Sequence, residues 1–344
     1  MTSNRPHSSP STDPAYVARL LDARSTAKTV SSRLGGRQVR IRRRAFIRSD
    51  ERHAVPPYVA LLAGRGHTDK PMKLAVLASW MAGSEGGGDG FGTHFPPQSP
   101  HPFVGPFTSA VDYDDVADLL LLDHGNAETD RKIRRYLDHL AAQRLLAVST
   151  AHDRILLLNE DGSGDAYTDP GSRTRGTAPA GAEEPELEGT SGADTYQRDD
   201  FYVTLPATFF RNGWFSAMPG SALLTLLVHL DLHRSTQPRS EGQRDRGNFV
   251  NDEFRRRYVP MSQTTYERGI RLLRNWGLVT THVEMVRSGA NRKSRNRYSI
   301  DLSVLQADAP AVPPERDPKL VSPASRRGNR RSSDAASQRR NTAI

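Results

Sequence analysis

TDRKIRRYLDHLAAQRLLAV at residues 129–148 and SQTTYERGIRLLRNWGLVTT at residues 262–281 are two copies of one pattern, separated by a constant 133 positions. Ile133, Leu137, Leu140, Leu145 and Leu146 of the first fall on Tyr266, Ile270, Leu273, Leu278 and Val279 of the second. Apolar residues at i, i+4 and i+7 line one face of a helix, and the adjacent apolar pair that follows suits an extended segment. Each copy predicts a helix running into a strand. Thr129 and Ser262 stand where an N-cap oxygen is wanted, and Gly277 where a left-handed residue closes a helix. The outward faces are cationic: Arg131, Lys132, Arg134 and Arg135 on the first helix, and Arg268, Arg271 and Arg274 on the second.

Similar elements flank both copies. Before the first, helices are expected over 70–81, burying Leu74, Leu77 and Trp80, and over 112–122; strands at 145–148 and 155–158 follow. Before the second come a lead strand at 201–205 and a Leu-rich helix at 220–233, in which Leu223, Leu224, Leu226, Leu227 and Leu230 are buried on two sides. A short helix at 250–258 and a tight turn, Val259-Pro260-Met261, lead into Ser262, and strands at 278–287 and 295–302 flank the loop SGANRKS. These elements define two folded domains, 69–159 and 201–305. Residues 1–68 read as a basic, partly disordered segment, with a helix at 15–34 and the run RQVRIRRRAFIR at 37–48 as a strand or a flexible arm. Residues 83–107 are too rich in Gly and Pro to pack a core, 160–200 read as an acidic Gly/Pro-rich linker, and 306–344 as a disordered basic tail.

The formal charge of +9 favours an anionic partner, and its distribution is uneven. Residues 201–302 carry 16 basic and 8 acidic groups, whereas 69–159 carry 8 basic and 12 acidic. The arginine run and the tail are each strongly basic, and both are expected to add phosphate contacts from disordered chain. The chain has 0 Cys, which excludes disulfides, Cys-ligated zinc and a thiol nucleophile. It also lacks an apolar run of about 18 residues and a signal peptide, so a cytoplasmic protein without membrane contact is expected.

Three helices followed by a two-stranded hairpin, with the third helix and the hairpin tip basic, resemble the winged helix-turn-helix family. The likeness rests on FRRRY at 254–258, the turn through Ser262, the helix TTYERGIRLLRNWGLV, and the strand-loop-strand to Tyr298. It covers roughly a hundred residues of the second half and, less well, a similar length of the first. The resemblance implies an α+β fold with two winged-helix domains, in which the third helix enters the major groove of duplex DNA. Its base-reaching side chains would be Gln263, Thr264, Thr265, Glu267, Arg268 and Arg271, with Arg268 suited to guanine and Gln263 to adenine. The wing would offer Arg287, Arg292, Lys293, Arg295 and Arg297 to phosphates or a minor groove. The plainer reading makes both surfaces solvated charge.

The first copy departs from this pattern. Its hairpin tip, 149–154, holds Asp153 beside Arg154, and the helix at 112–123 is acidic. It is read two ways, as a second DNA contact through Arg131, Lys132, Arg134 and Arg135, or as a surface for homodimerisation or another protein. A flexible linker of about 40 residues spans roughly 35 Å, comparable with the ~34 Å between successive major grooves, so both copies fit one site.

No catalytic residue, cofactor or metal is expected. His229 and His233 are one turn apart, but Leu230 occupies the place of a catalytic Glu, and a core pair is the better reading. NEDGSG at 159–164 reads as a β-turn. The expected activity is sequence-specific duplex binding in transcriptional regulation. A plasmid-type replication initiator and a protein- or RNA-interaction module are the alternatives.

Overall fold

The computed structural model describes residues 13–36, 38–48, 53–63, 69–84, 113–123, 126–148, 155–164, 167, 201–236, 248–288 and 291–310. The first hairpin tip, most of the Gly/Pro-rich stretch after residue 83, residues 168–200 of the acidic stretch, Gly289-Ala290 and the tail from 311 lie outside the described residues.

The first half runs α1 (Pro14–Arg33), β1 (Val39–Arg42), α2 (Pro57–Ala63), α3 (Lys70–Ser84), α4 (Tyr113–Leu119), α5 (Ala127–Ala142), β2 (Leu146–Val148) and β3 (Ile155–Leu157). The second runs β4 (Tyr202–Leu205), α6 (Ala207–Arg211), α7 (Trp214–Ala217), α8 (Gly220–Thr236), α9 (Asp252–Tyr258), α10 (Gln263–Asn275), β5 (Val279–Ser288) and β6 (Asn291–Ile300). The fold is mixed α+β, with antiparallel two-stranded ribbons β2–β3 and β5–β6 closing the two halves.

The leading strands pair with each other. β1 and β4 run antiparallel, Val39 opposite Leu205 and Arg42 opposite Tyr202. Behind them lie α3 and α8, each too apolar to keep a wet face; Met72, Leu74, Val76 and Leu77 are fully buried, as are Leu223, Leu224, Leu226 and Leu227. Trp80 of α3 stacks on Phe210 of α6 at 4.2 Å, and Phe210 on Phe215 at 5.5 Å, so aromatic packing crosses between the halves.

Helix α1 fastens the two halves from outside. Arg33 pairs with Asp115 at 3.0 Å, Arg19 with Asp123 at 3.2 Å, and the Thr26 hydroxyl donates to Asp118 at 2.8 Å. On its other side Arg24 pairs with Asp308 at 3.2 Å. The described residues belong to one compact unit. The β1–β4 pairing, α1 and the Trp80–Phe210 stack thus join described residues of the two expected domains.

The arginine run is not a free arm. Arg42 bonds Glu160 at 2.5 Å, Arg43 bonds Asp231 at 3.0 Å, and Arg48 donates to the carbonyls of Arg256 and Arg257. Arg42 and Arg43 are buried, and a buried cation requires such a partner. The 159–164 segment is a turn, as read from the sequence, with the Ser163 amide donating to Asp161 at 2.9 Å. Glu160 within it is 2% exposed, and desolvation lifts its carboxyl to about 7 against the pull of Arg42.

The two repeats end alike. The Leu145 amide donates to the Leu140 carbonyl at 3.0 Å and the Leu278 amide to Leu273 at 2.9 Å, the wrap that closes a helix through a left-handed residue. Gly277 takes that position with φ 76°; Arg144 takes it in the first copy with φ 57°. The starts differ. Ser262 caps α10 as expected, its oxygen accepting from the Thr265 amide at 3.1 Å. Helix α5 begins one turn before Thr129: Asn126 is its cap, accepting from the Thr129 amide at 2.8 Å, while the buried Thr129 hydroxyl donates to the Asp123 carbonyl. An Asn side chain caps as well as a Thr, and burial of Thr129 removes it from the end.

Candidate nucleic-acid interface

Helix α10 is amphipathic with a clean division. Tyr266, Gly269, Ile270 and Leu273 point inward, and Gln263, Thr264, Glu267, Arg268 and Arg271 are exposed. Gly269 permits a close crossing on α8: a Cβ there would lie 2.2 Å from Thr225 Oγ1 and 2.6 Å from the Ser221 carbonyl. Mid-helix glycine costs about 1 kcal/mol of intrinsic propensity, so its presence marks backbone proximity.

Behind α10 lies a buried polar network. His229 of α8, 0% exposed, contacts Asn248 Oδ1 through Nδ1 at 2.7 Å and Tyr266 Oη through Nε2 at 2.8 Å. Asn248 Nδ2 donates to the His229 carbonyl at 3.1 Å, which orients the amide so that its oxygen accepts from His229 Nδ1–H. His229 Nε2 is left to accept from the Tyr266 hydroxyl. Burial depresses the His229 pKa to about 4, so the ring is neutral. Asn248 also exchanges both backbone hydrogen bonds with Tyr298 of β6 at 2.8 Å. One histidine thus joins α8, α10 and the ribbon; among the described residues no group of three or more His, Asp or Glu is placed to hold a metal ion.

The approach to α10 is fixed by a tight turn. The Met261 amide donates to the Val259 carbonyl at 2.6 Å, and the buried Arg255 of α9 donates to the Met261 carbonyl. Arg256 and Arg257 remain exposed on α9 beside this turn. The sequence reading names this segment as part of the winged-helix likeness but not as a contact surface, although two of its three arginines face outward.

The predicted reading residues divide. Arg268 and Arg271 carry no ion pair among the described residues. Gln263 Nε2 donates to Glu267 Oε1 at 2.8 Å, tying these two together. Thr265 is half-buried and shares a 2.7 Å hydrogen bond with Ser262, so it serves the cap rather than an outward surface.

The ribbon also differs from its reading. Its strands extend through SGANRKS, with Ser288 opposite Asn291, so Arg292 and Lys293 stand on a strand rather than a loop. Arg287 lies opposite Arg292 and Val286 opposite Lys293, which places three cations in adjacent rungs near the hairpin end. The side chains of those three lie outside the described residues. Arg295 and Arg297 both donate to Glu284 Oε2, at 2.7 and 2.5 Å, and these contacts hold its carboxyl below the usual range. Arg295 also covers the Phe249 ring at 5.1 Å.

On the first repeat, Arg131, Arg134 and Arg135 are exposed on α5, and Lys132 is tied to Glu128 at 2.7 Å. The acidic helix before it is largely answered by α1, through Asp115, Asp118 and Asp123. Among the described residues its strands cover three residues each, against ten on each strand of the second ribbon. Among the described residues no helix is long and apolar enough to cross a membrane. Comparison with family models, curated proteins and solved structures returned no match to this chain.

Proposed function

We propose that the chain is a non-enzymatic, sequence-specific duplex DNA-binding protein that regulates transcription, with α10 and β5–β6 as its main contact. In this reading each half is a winged helix-turn-helix unit. The observation that carries it is the exposed pair Arg268 and Arg271, without an ion-pair partner among the described residues, on a helix anchored from behind by Gly269 and His229. A guanidinium that reads guanine must present its fork from a fixed backbone, and base contacts of this kind discriminate by about 1–3 kcal/mol. Arg256, Arg257 and the cations near the hairpin end supply the phosphate contacts in this reading.

Selection of the full chain on a random duplex pool tests this. The expected result is one enriched motif whose binding weakens with salt. Absence of duplex affinity at modest ionic strength overturns the proposal. A palindrome over a promoter accords with regulation, whereas direct repeats beside an AT-rich stretch replace regulation with replication initiation.

A further inference from the structure

A cleft of about 280 Å³ opens where the end of α5, the segment after β1 and the 159–164 turn meet, and no residue of α10 lines it among the described residues. Among the described residues, four basic side chains line it, Arg44, Arg48, His53 and Arg144, against one carboxylate, Asp161. Its wall is apolar at Val55, which is 45% exposed, and at Pro56. Arg144 reaches the cleft from the left-handed position whose counterpart in the second repeat is Gly277. A non-glycine residue costs roughly 1–2 kcal/mol in that conformation, and such strain concentrates at functional positions.

The cleft has a mechanical link to α10. Arg48, which lines it, donates through its guanidinium to the carbonyls of Arg256 and Arg257 and through its amide to Tyr258 at 2.9 Å. Those carbonyls end α9, immediately before the turn that leads to Ser262. An anion in the cleft competes with them for the same guanidinium.

We infer that this cleft binds a small organic anion, a carboxylate or phosphate on an apolar body, and that Arg48 transmits occupancy to the turn before α10. The cations recognise the anionic group and Val55 with Pro56 receive the apolar body, a division common to small-molecule sites. The concave, partly apolar form fits such a ligand better than it fits a DNA backbone. The transmission rests on α10 being the DNA-contacting helix; the binding does not.

Calorimetric titration of the full chain with phenyl phosphate and with inorganic phosphate tests the site. Phenyl phosphate should bind about tenfold more tightly than inorganic phosphate, and Arg144→Gly should weaken it by about tenfold. Arg144→Gly is suited to folding, because glycine holds the same position in the second repeat. Arg268→Ala should leave this binding unchanged. Absence of saturable phenyl phosphate binding, or equal binding by Arg144→Gly, overturns the site. Saturating phenyl phosphate should also shift affinity for the selected duplex several-fold in the wild type and not in Arg144→Gly. No shift, or no duplex binding at all, overturns the transmission while the calorimetry still decides the site. Loss of duplex affinity in Arg144→Gly without any ligand would assign the cleft to a DNA phosphate instead.

Discussion

The two repeats share a helix stripe and a helix ending but differ in how tightly the helix is held. At the position of Gly269 in α10, α5 carries the half-buried Tyr136. Helix α10 meets α8 backbone to backbone, and a histidine network ties it to a long ribbon. Among the described residues helix α5 has neither device, and its ribbon pairs three residues of each strand. The same amphipathic pattern has thus been built once with a close backbone crossing and once without it, and under the proposed function that difference favours α10 as the base-reading helix.

The largest expected break is Gly269→Ala. The added methyl meets the Ser221 backbone carbonyl, which cannot rotate away, so urea denaturation should show a loss of about 3 kcal/mol and duplex binding should fall with it. Tyr136→Ala in the first repeat should leave duplex affinity within about 0.5 kcal/mol. A Gly269→Ala protein with unchanged stability would erase the contrast.

The network predicts an acid limb of comparable size. His229 titrates at its ordinary value when unfolded and near about 4 when folded, so the unfolded chain binds the extra proton between these values. Stability from neutral His229 is therefore complete above about pH 6.5 and falls by up to about 3 kcal/mol as pH drops toward 4. His229→Phe should remove that slope from a plot of unfolding free energy against pH. Glu160, raised to about 7, works in the opposite direction, losing stability as pH rises from its unfolded value, and is common to both proteins.

Arg268→Ala should cost about 1–3 kcal/mol on a selected duplex and much less on random DNA. Arg131→Ala and Arg135→Ala should cost less than about 0.5 kcal/mol on either. Equal losses on specific and random DNA for Arg268→Ala would assign α10 to phosphates. Within the ribbon, replacing Arg287, Arg292 and Lys293 with Ala should reduce the log-log salt slope by about 2–3. Arg295 and Arg297 already serve Glu284, so removing them should change the slope by less than about 1. The smallest effect concerns the helix ends: Arg144→Gly should stabilise the protein by about 0.5–1 kcal/mol, whereas Gly277→Ala should destabilise it by more.

What was legible in the sequence is what neighbouring residues decide. The stripe of α10, its Ser262 cap, the Gly277 ending and the fully buried α8 all follow from local periodicity and cap chemistry. The misreadings concern partners distant along the chain. Arg42 and Glu160 lie 118 positions apart, so the first reads as part of a strand or a flexible arm and the second as part of a β-turn, with no sign that they pair. Asp115 and Asp123 looked repulsive because Arg33 and Arg19, which answer them, lie in a segment read as peripheral. Gly269 did carry a local signal, since a glycine inside a strong helical stripe asks what comes close to it.

Pairing β1 with β4 also imposes an order of assembly. Residues 39–42 receive their partner only when 202–205 have left the ribosome, which at cellular synthesis rates is a delay on the order of 10–30 s. Until then the nascent first half has an unsatisfied strand edge and an uncovered Trp80, both templates for association with a neighbouring chain. A fragment ending near residue 160 should therefore associate with itself or with a separately supplied second half.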